Sequence, residues 1–174
     1  MPILIKTNGI VLSSKILPSN DVIYTVLTEE KGKMRIYGKG VKKTSSRRRP
    51  HLQTGNLITA VLRRSKDIHY LQETILLSAF SQIKQSSEKL GWLYAFLFMI
   101  DRLVPEMEPD AEIYHILQKF LIDLAQKELE RALFTESANR VLSVLGYTSE
   151  KIALEDIKEI FTDLTHQKLP LNTI

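Results

Sequence analysis

The spacing of hydrophobic residues changes near residue 80 and predicts two kinds of structure. Before that point, short runs of β-branched and aromatic residues alternate with turn-forming residues, which is typical of strands. We predict five strands, at residues 10–12, 22–28, 34–37, 57–62 and 69–77. Five short antiparallel strands indicate a small closed barrel of the OB type, because closure removes the exposed edges of so small a sheet.

After residue 81, apolar residues recur every three to four positions, which predicts helices. We predict four helices: one that ends before Pro105, one that begins at Asp110 and runs to residue 124, one from near residue 128 or 135 to Leu145, and one over residues 157–164. Gly146 should close the third helix in the left-handed conformation. The predicted fold class is therefore α+β, with an OB-type nucleic-acid-binding barrel in residues 1–80 and an all-α helical domain in residues 81–174.

The composition narrows the classes of protein further. The chain contains no cysteine and four scattered histidines, so we expect no disulfide, no zinc site and no cofactor. The longest apolar run, residues 92–100, is far shorter than the roughly 20 residues that span a bilayer. The first residues are too few and too soon polar for a signal peptide, so we expect a cytoplasmic protein.

The basic residues are concentrated in the first half of the chain. Residues 1–80 hold fourteen Lys and Arg against five Asp and Glu, a net charge of +9, whereas residues 81–174 hold ten against fifteen, a net charge of −5. Residues 38–50 alone carry six cations and no acid, and they connect two predicted strands, so they must lie on the surface. This asymmetry indicates a polyanionic partner, nucleic acid or a membrane surface, although a solubilising loop would give the same pattern.

The cations of this half form the candidate nucleic-acid site. On one barrel they could make a continuous surface for phosphates, with sequence-tolerant binding to single or double strands. The candidate residues are Lys33, Arg35, Lys39, Lys42, Lys43, Arg47, Arg48, Arg49, Arg63 and Arg64. Three strand tyrosines, Tyr24, Tyr37 and Tyr70, could stack bases, but each is more readily explained as half core than as a stacking surface.

No catalytic motif is present. Gly38-Lys39-Gly40 lacks the spacing of a phosphate-binding P-loop, and its glycines are better explained by a bend at the end of a strand. The sequence has no GxSxG elbow, and its acids at residues 106–112 suit the start of a helix. We therefore predict that the protein is not an enzyme.

An ordered series of short motifs resembles the bacterial recombination mediator RecO. In the barrel half the motifs are Lys6-Thr7-x-Gly9-Ile10-Val11-Leu12, Ser19-Asn20-Asp21-x-Ile23-x-Thr25-x-Leu27-Thr28, Gly32-Lys33-x-Arg35, Lys39-Gly40, Ser46-Arg47 and Leu52-Gln53. In the helical half they are residues 100–106 (IDRLVPE), similar to "DRLLPE", and Leu142-x-x-Leu145-Gly146-Tyr147, similar to "LLxxLGY". The resemblance covers roughly residues 3–147.

The resemblance implies several functions that composition does not give. These are binding of single- and double-stranded DNA, annealing of complementary strands, and work with RecR and single-strand-binding protein to load RecA. Many members carry a cysteine zinc module after the "LGY" segment, whereas here a plain amphipathic helix follows Thr148 and no zinc is expected. On the helical domain, Lys127, Arg131 and Arg140 could receive the acidic tail of single-strand-binding protein, or they could be ordinary solvated residues.

Two alternatives to DNA binding stay open from the sequence. The basic surface could dock an acidic protein, which would make the chain a protein interaction module. The barrel could also bind RNA, since the residues alone do not separate DNA from RNA.

Overall fold

The structure is a computed structural model that describes residues 3–40, 49–128 and 130–171. The chain divides into two compact units, one formed by Met1–Ala79 with Glu106–Asp110 and the other by Phe80–Pro105 with Ala111–Ile174. The first unit is a closed five-stranded barrel and the second is helical, which confirms the predicted α+β class. That residues 1–80 and 81–174 are separate domains stays a prediction.

The barrel has the strand arrangement of an OB-type fold. Its strands are β1 (Ile3–Ile16), β2 (Val22–Thr28), β3 (Gly32–Gly38), β4 (Leu57–Ser65) and β5 (Ile68–Ser78). Their order around the barrel is β1-β2-β3-β5-β4, and β4 closes on β1. All neighbours are antiparallel except β3 and β5, which run parallel. The barrel closes between β3 and β5 through two residue pairs, Ile36 with His69 and Tyr37 with Tyr70, which shortens the exposed sheet edge.

Strand β1 is longer than predicted because it pairs with two different strands. Residues 3–10 pair with β4, and residues 9–16 pair with β2. Gly9 lies where the two pairings overlap, and a Cβ built there would lie 2.5 Å from Cγ1 of Val26. Glycine therefore permits the close approach of β1 to β2 at this point.

The inward-facing side chains fill the barrel. Its buried cluster consists of Val11, Val22, Tyr24, Val26, Met34, Ile36, Leu52, Ile58, Ala60, Leu62 and Leu71. Successive side chains of a strand point to opposite faces. Tyr37, Arg63 and Tyr70 are each next in the chain to a core residue, namely Ile36, Leu62 and Leu71. Their side chains therefore lie on the outside of the barrel.

Residues 106–110 return to the barrel unit after a helix. The N–H of Met107 donates to the carbonyl of Lys33 over 2.8 Å. Beside this hydrogen bond, the backbones of Lys33 and Glu106 form an isolated parallel β-bridge. Gly32 has a φ of 70°, and a side chain at this position would collide with the backbone of Glu108. The segment thus lies against the first residues of β3.

The second unit contains five helices: α1 (Ser81–Lys84), α2 (Ser87–Leu103), α3 (Ala111–Gln126), α4 (Glu130–Val144) and α5 (Leu154–Thr165). The four longer ones match the predicted helices, and α1 is too short to show a helical period. Gly146 has a φ of 80°, and the N–H of Tyr147 donates to the carbonyl of Leu142 over 2.9 Å. This is the predicted left-handed end of α4.

Aromatic residues form much of the core of the helical unit. Phe96 lies between Phe120 and Phe134, with ring centroids 4.1 and 5.8 Å away, and Trp92 packs on Phe134 at 5.3 Å. The apolar run at residues 92–100 is thus largely buried. Among the helices of the described residues, none is both long and apolar enough to cross a membrane.

Candidate nucleic-acid interface

One row of outward-facing side chains crosses four strands of the barrel. In the strand register, Tyr37 of β3 pairs with Tyr70 of β5, Tyr70 pairs with Arg63 of β4, and Arg63 pairs with Leu4 of β1. We call these four residues the outer row. The two tyrosine rings meet edge to face at 5.5 Å, and the guanidinium of Arg63 lies over the Tyr70 ring, 5.2 Å from its centroid. Leu4 at the end of the row is 66% exposed.

Asp21 connects the outer row to the start of residues 38–50, which we call the basic loop. The hydroxyl of Tyr37 donates to Oδ2 of Asp21 over 2.6 Å, and the N–H of Gly40 donates to Oδ1 over 3.0 Å. These two hydrogen bonds, the first above all, lower the pKa of Asp21, and the same hydroxyl contact raises the pKa of Tyr37. The ionised carboxylate therefore fixes both the Tyr37 ring and the residue at which the loop leaves β3.

The other end of the basic loop is anchored in the core. A short 3-10 turn, Arg49–Leu52, leads back to β4, and Leu52 is buried in the barrel cluster. The side-chain amide of the buried Asn56 donates to the carbonyls of Pro50 and His51 over 3.1 and 2.9 Å. Arg49 is thus exposed on a turn that the barrel holds in place.

Besides Arg63, Arg49 and Lys33, seven of the predicted cations fall into three groups. Arg64 and Lys39 are exposed near the outer row, and the Nε–H of Arg64 donates to the carbonyl of Lys66 over 3.1 Å. Arg35 is 67% exposed, but its guanidinium pairs with the carboxylate of Glu106 at 2.6 Å. A third group, which comprises Lys42, Lys43, Arg47 and Arg48, lies outside the described residues.

Lys33 differs from the other predicted barrel cations. Only 6% of the residue is exposed, and residues 106–110 run along this end of β3. A lysine that is this little exposed has almost no accessible surface for a phosphate. We therefore leave Lys33 out of the proposed DNA-binding surface.

The three predicted partner-binding residues do not share one site. Lys127 and Arg140 line a hollow of about 190 Å³ together with Lys119 and Leu133. Arg131 instead lines a separate, larger hollow of about 750 Å³. The structure thus brings two of the three cations together.

The smaller hollow is also lined by two acids, Asp123 and Glu136. Asp123 is 8% exposed and accepts from Nζ of Lys119 at 2.7 Å and from Nζ of Lys127 at 3.0 Å. These contacts, that of Lys119 first, lower the pKa of Asp123. The hollow therefore combines a carboxylate with a cationic rim.

No metal site is evident in the part of the chain that the structure describes. Within residues 3–40, 49–128 and 130–171, no group of three or more His, Asp or Glu side chains is placed to hold an ion.

Two of the three strand tyrosines lie in the outer row. Of the three strand tyrosines, only Tyr24 belongs to the barrel cluster, and it is 5% exposed. Tyr37 and Tyr70 are half-buried on the outer face. The signal was available in the alternation of β3, because Met34 and Ile36 face inward and residue 37 must therefore face outward.

Comparison with known proteins finds similarity to one family. The family model described as "Recombination protein O N terminal" matches residues 1–80. The DNA repair protein RecO of Pelotomaculum thermopropionicum is 27% identical over 144 residues, which are 83% of this chain and 56% of that protein. RecO of Prosthecochloris aestuarii is 23% identical over 150 residues, 84% of this chain and 57% of that protein. RecO of Moorella thermoacetica is 29% identical over 154 residues, 84% of this chain and 54% of that protein.

The chain spans a little more than half the length of these relatives. Because the matched stretches are much longer than the 80 residues of the barrel match, the likeness extends into the helical half. The first 80 residues therefore match the RecO family, and most of the chain is similar to DNA repair proteins of that name.

Proposed function

We propose that this protein binds DNA through the outer surface of its barrel and acts as a non-enzymatic mediator of DNA repair in the cytoplasm. The single observation that supports this most is that a closed OB-type barrel carries accessible cations on β4 and at both ends of its basic loop. Arg63 belongs to the outer row, Arg64 is its exposed chain neighbour, and Lys39 and Arg49 mark the two ends of the basic loop. The names of the relatives, DNA repair protein RecO, agree with a nucleic-acid ligand.

The binding would be electrostatic and tolerant of sequence. Lysine and arginine side chains neutralise phosphates and release counterions, so affinity falls as salt rises. A protein that screens two phosphate backbones in this way also lowers their mutual repulsion, and annealing of complementary strands follows from that. The family further suggests loading of RecA together with RecR and single-strand-binding protein.

The test is a titration of labelled single-stranded DNA at several salt concentrations. Changing Arg47, Arg48 and Arg49 together to Ala should reduce the log–log salt slope by up to about three, with similar losses for unrelated sequences. The matched control replaces Lys151, Lys158 and Lys168 of the helical unit by Ala, which removes the same charge. An unchanged slope in the folded loop variant, or an equal loss in the control, would contradict the proposal for this loop.

A protein partner at the helical unit is the second part of the proposal. The smaller hollow is lined by Lys119, Lys127 and Arg140 beside the apolar Leu133. These cations pair with Asp123 and Glu112, so an acidic peptide with a hydrophobic end would bind here in competition with those carboxylates. The acidic tail of single-strand-binding protein has this chemistry. We expect Lys127→Ala with Arg140→Ala to weaken binding of such a peptide, as measured by fluorescence anisotropy.

Arg131→Ala is the matched control for the peptide experiment, because Arg131 lines the other hollow. If Arg131→Ala weakens peptide binding as much as the changes at Lys127 and Arg140, the peptide does not occupy the smaller hollow. If none of the three changes weakens peptide binding, the tail does not bind through these residues.

A further inference from the structure

We propose that Tyr37, Tyr70 and Arg63 form a stacking platform for the unpaired bases of single-stranded DNA. This inference rests on the proposed function, since it assumes that the barrel binds DNA, and it adds a site that recognises the faces of bases. The site would make this part of the barrel selective for single strands over duplex.

The first argument is the position of the aromatic rings. Tyr37 and Tyr70 lie on the side of β3 and β5 that faces away from the barrel cluster, yet they are in ring contact with each other. Each is half-buried, so part of each side chain remains accessible on the surface. Aromatic side chains on the outside of a small barrel can stack on bases, because every base has a π-face.

The second argument is rigidity. The hydroxyl of Tyr37 is held by Asp21 at 2.6 Å, and its ring packs against Tyr70. The guanidinium of Arg63 in turn covers the Tyr70 ring. Since these contacts exist without a ligand, little side-chain freedom would be lost when a base binds.

The third argument is the chemistry of the surroundings. A guanidinium is planar, stacks on aromatic faces and also meets phosphates, so Arg63 can contact a base and its backbone. The exposed Arg64 follows it in the chain, and Leu4 extends the row with apolar surface. The rings and the leucine thus match the face of a base, and the arginines match the phosphate.

Single strands are favoured over duplex for a geometric reason. In a duplex the faces of the bases are covered by neighbouring base pairs, whereas unpaired bases can be splayed onto a side chain. A platform of rings therefore adds affinity only for unpaired bases, while the cations around it serve both forms through phosphates.

The test combines a protein change with a ligand change. The variant is Tyr70→Leu, which keeps an apolar side chain but removes the ring, and the ligands are a dT oligonucleotide and an abasic oligomer of the same length. We expect the variant to bind the dT oligonucleotide about 5- to 100-fold more weakly than the wild type. Its affinity for the abasic oligomer and for duplex, and its salt slope, should stay those of the wild type.

Matched controls separate the site from general effects. Tyr94→Leu changes an exposed tyrosine of the helical unit and should leave every ligand unaffected. Tyr70→Phe keeps the ring and should retain wild-type affinity. If Tyr70→Leu fails to fold, Tyr70→Trp takes its place, and its added fluorescence should be quenched by the dT oligonucleotide and not by the abasic oligomer.

The outcomes distinguish this inference from the proposed function. An equal loss on both oligomers would show that Tyr70 acts only through barrel structure, and unchanged binding to the dT oligonucleotide would remove it from the site; either result overturns the platform while DNA binding stands. A wild-type protein that binds none of the ligands would instead overturn the proposed function and the platform with it.

Discussion

The ion pair between Arg35 and Glu106 should restrain DNA binding. Glu106 lies in the segment that returns to the barrel, and its carboxylate is 2.6 Å from the guanidinium of Arg35. An arginine that already has a carboxylate partner gains less from a phosphate. We therefore expect Glu106→Gln to raise the affinity for single-stranded DNA.

The size of the effect follows from one additional phosphate contact. One contact steepens the log–log salt slope by about 0.7 for single strands and about 0.9 for duplex. When the salt is lowered from 1 M to 0.1 M, the affinity of the variant should therefore rise by roughly five- to eightfold more than that of the wild type. The folding stability of Glu106→Gln should fall while its affinity for DNA rises. Because Arg35 is 67% exposed and Glu106 41% exposed, the lost ion pair should cost less than about 1 kcal/mol in a urea titration.

The assay is fluorescence anisotropy at four salt concentrations, with Glu108→Gln as the control. Glu108 lies in the same segment, and its replacement changes the net charge equally without removing the pair between Arg35 and Glu106. The double variant Glu106→Gln/Arg35→Gln should bind as weakly as Arg35→Gln alone. Equal slopes for Glu106→Gln and Glu108→Gln would refute the reasoning, since the gain would then come from net charge.

Three further predictions concern the fold and its ionised groups. Gly9→Ala places a Cβ 2.5 Å from a valine side chain of β2, and overpacking of this kind should cost about 1–3 kcal/mol, read as a lower urea midpoint. Because the pKa of Asp123 is below its ordinary 3.8 in the folded state, its stabilisation is complete above that pH and lost below it. The melting temperatures of the wild type and Asp123→Asn should therefore differ at pH 7, and the difference should shrink as the pH falls below 3.8. Asp21→Asn should return the raised pKa of Tyr37 towards 10, as followed by NMR of ring-labelled tyrosine.

The fold could be predicted from the sequence where the pattern was local. Strand β2 was predicted with its observed bounds, residues 22–28, because β-branched residues alternate there between two turns. Strand β1 was predicted only over residues 10–12, because the polar stretch Lys6-Thr7-Asn8-Gly9 interrupts the apolar pattern before it, and residues 3–9 are held as a strand by pairing with β4. The parallel contact of β3 with β5 likewise depends on closure of the barrel.

The candidate site was less accessible to sequence reasoning because it depends on contacts between distant segments. Lys33 occupies an outward position of β3, but it is buried where residues 106–110 run along the strand. The separation of Arg131 from Arg140 could have been predicted. The two residues are nine positions apart on α4, which is two and a half helical turns, so they point to opposite sides.

The proposed platform and the proposed annealing activity are compatible because they use different parts of a nucleotide. Cations around the outer row would neutralise phosphates, and the rings would hold bases by their faces. Stacking on a face leaves the hydrogen-bonding edge of a base uncovered, so a held strand can still meet its complement. Once pairing begins, neighbouring base pairs cover the faces and the platform loses its contact with them. A surface of this kind binds the unpaired strand most tightly and releases stacked bases as duplex forms, which is the order of affinities that an annealing protein needs.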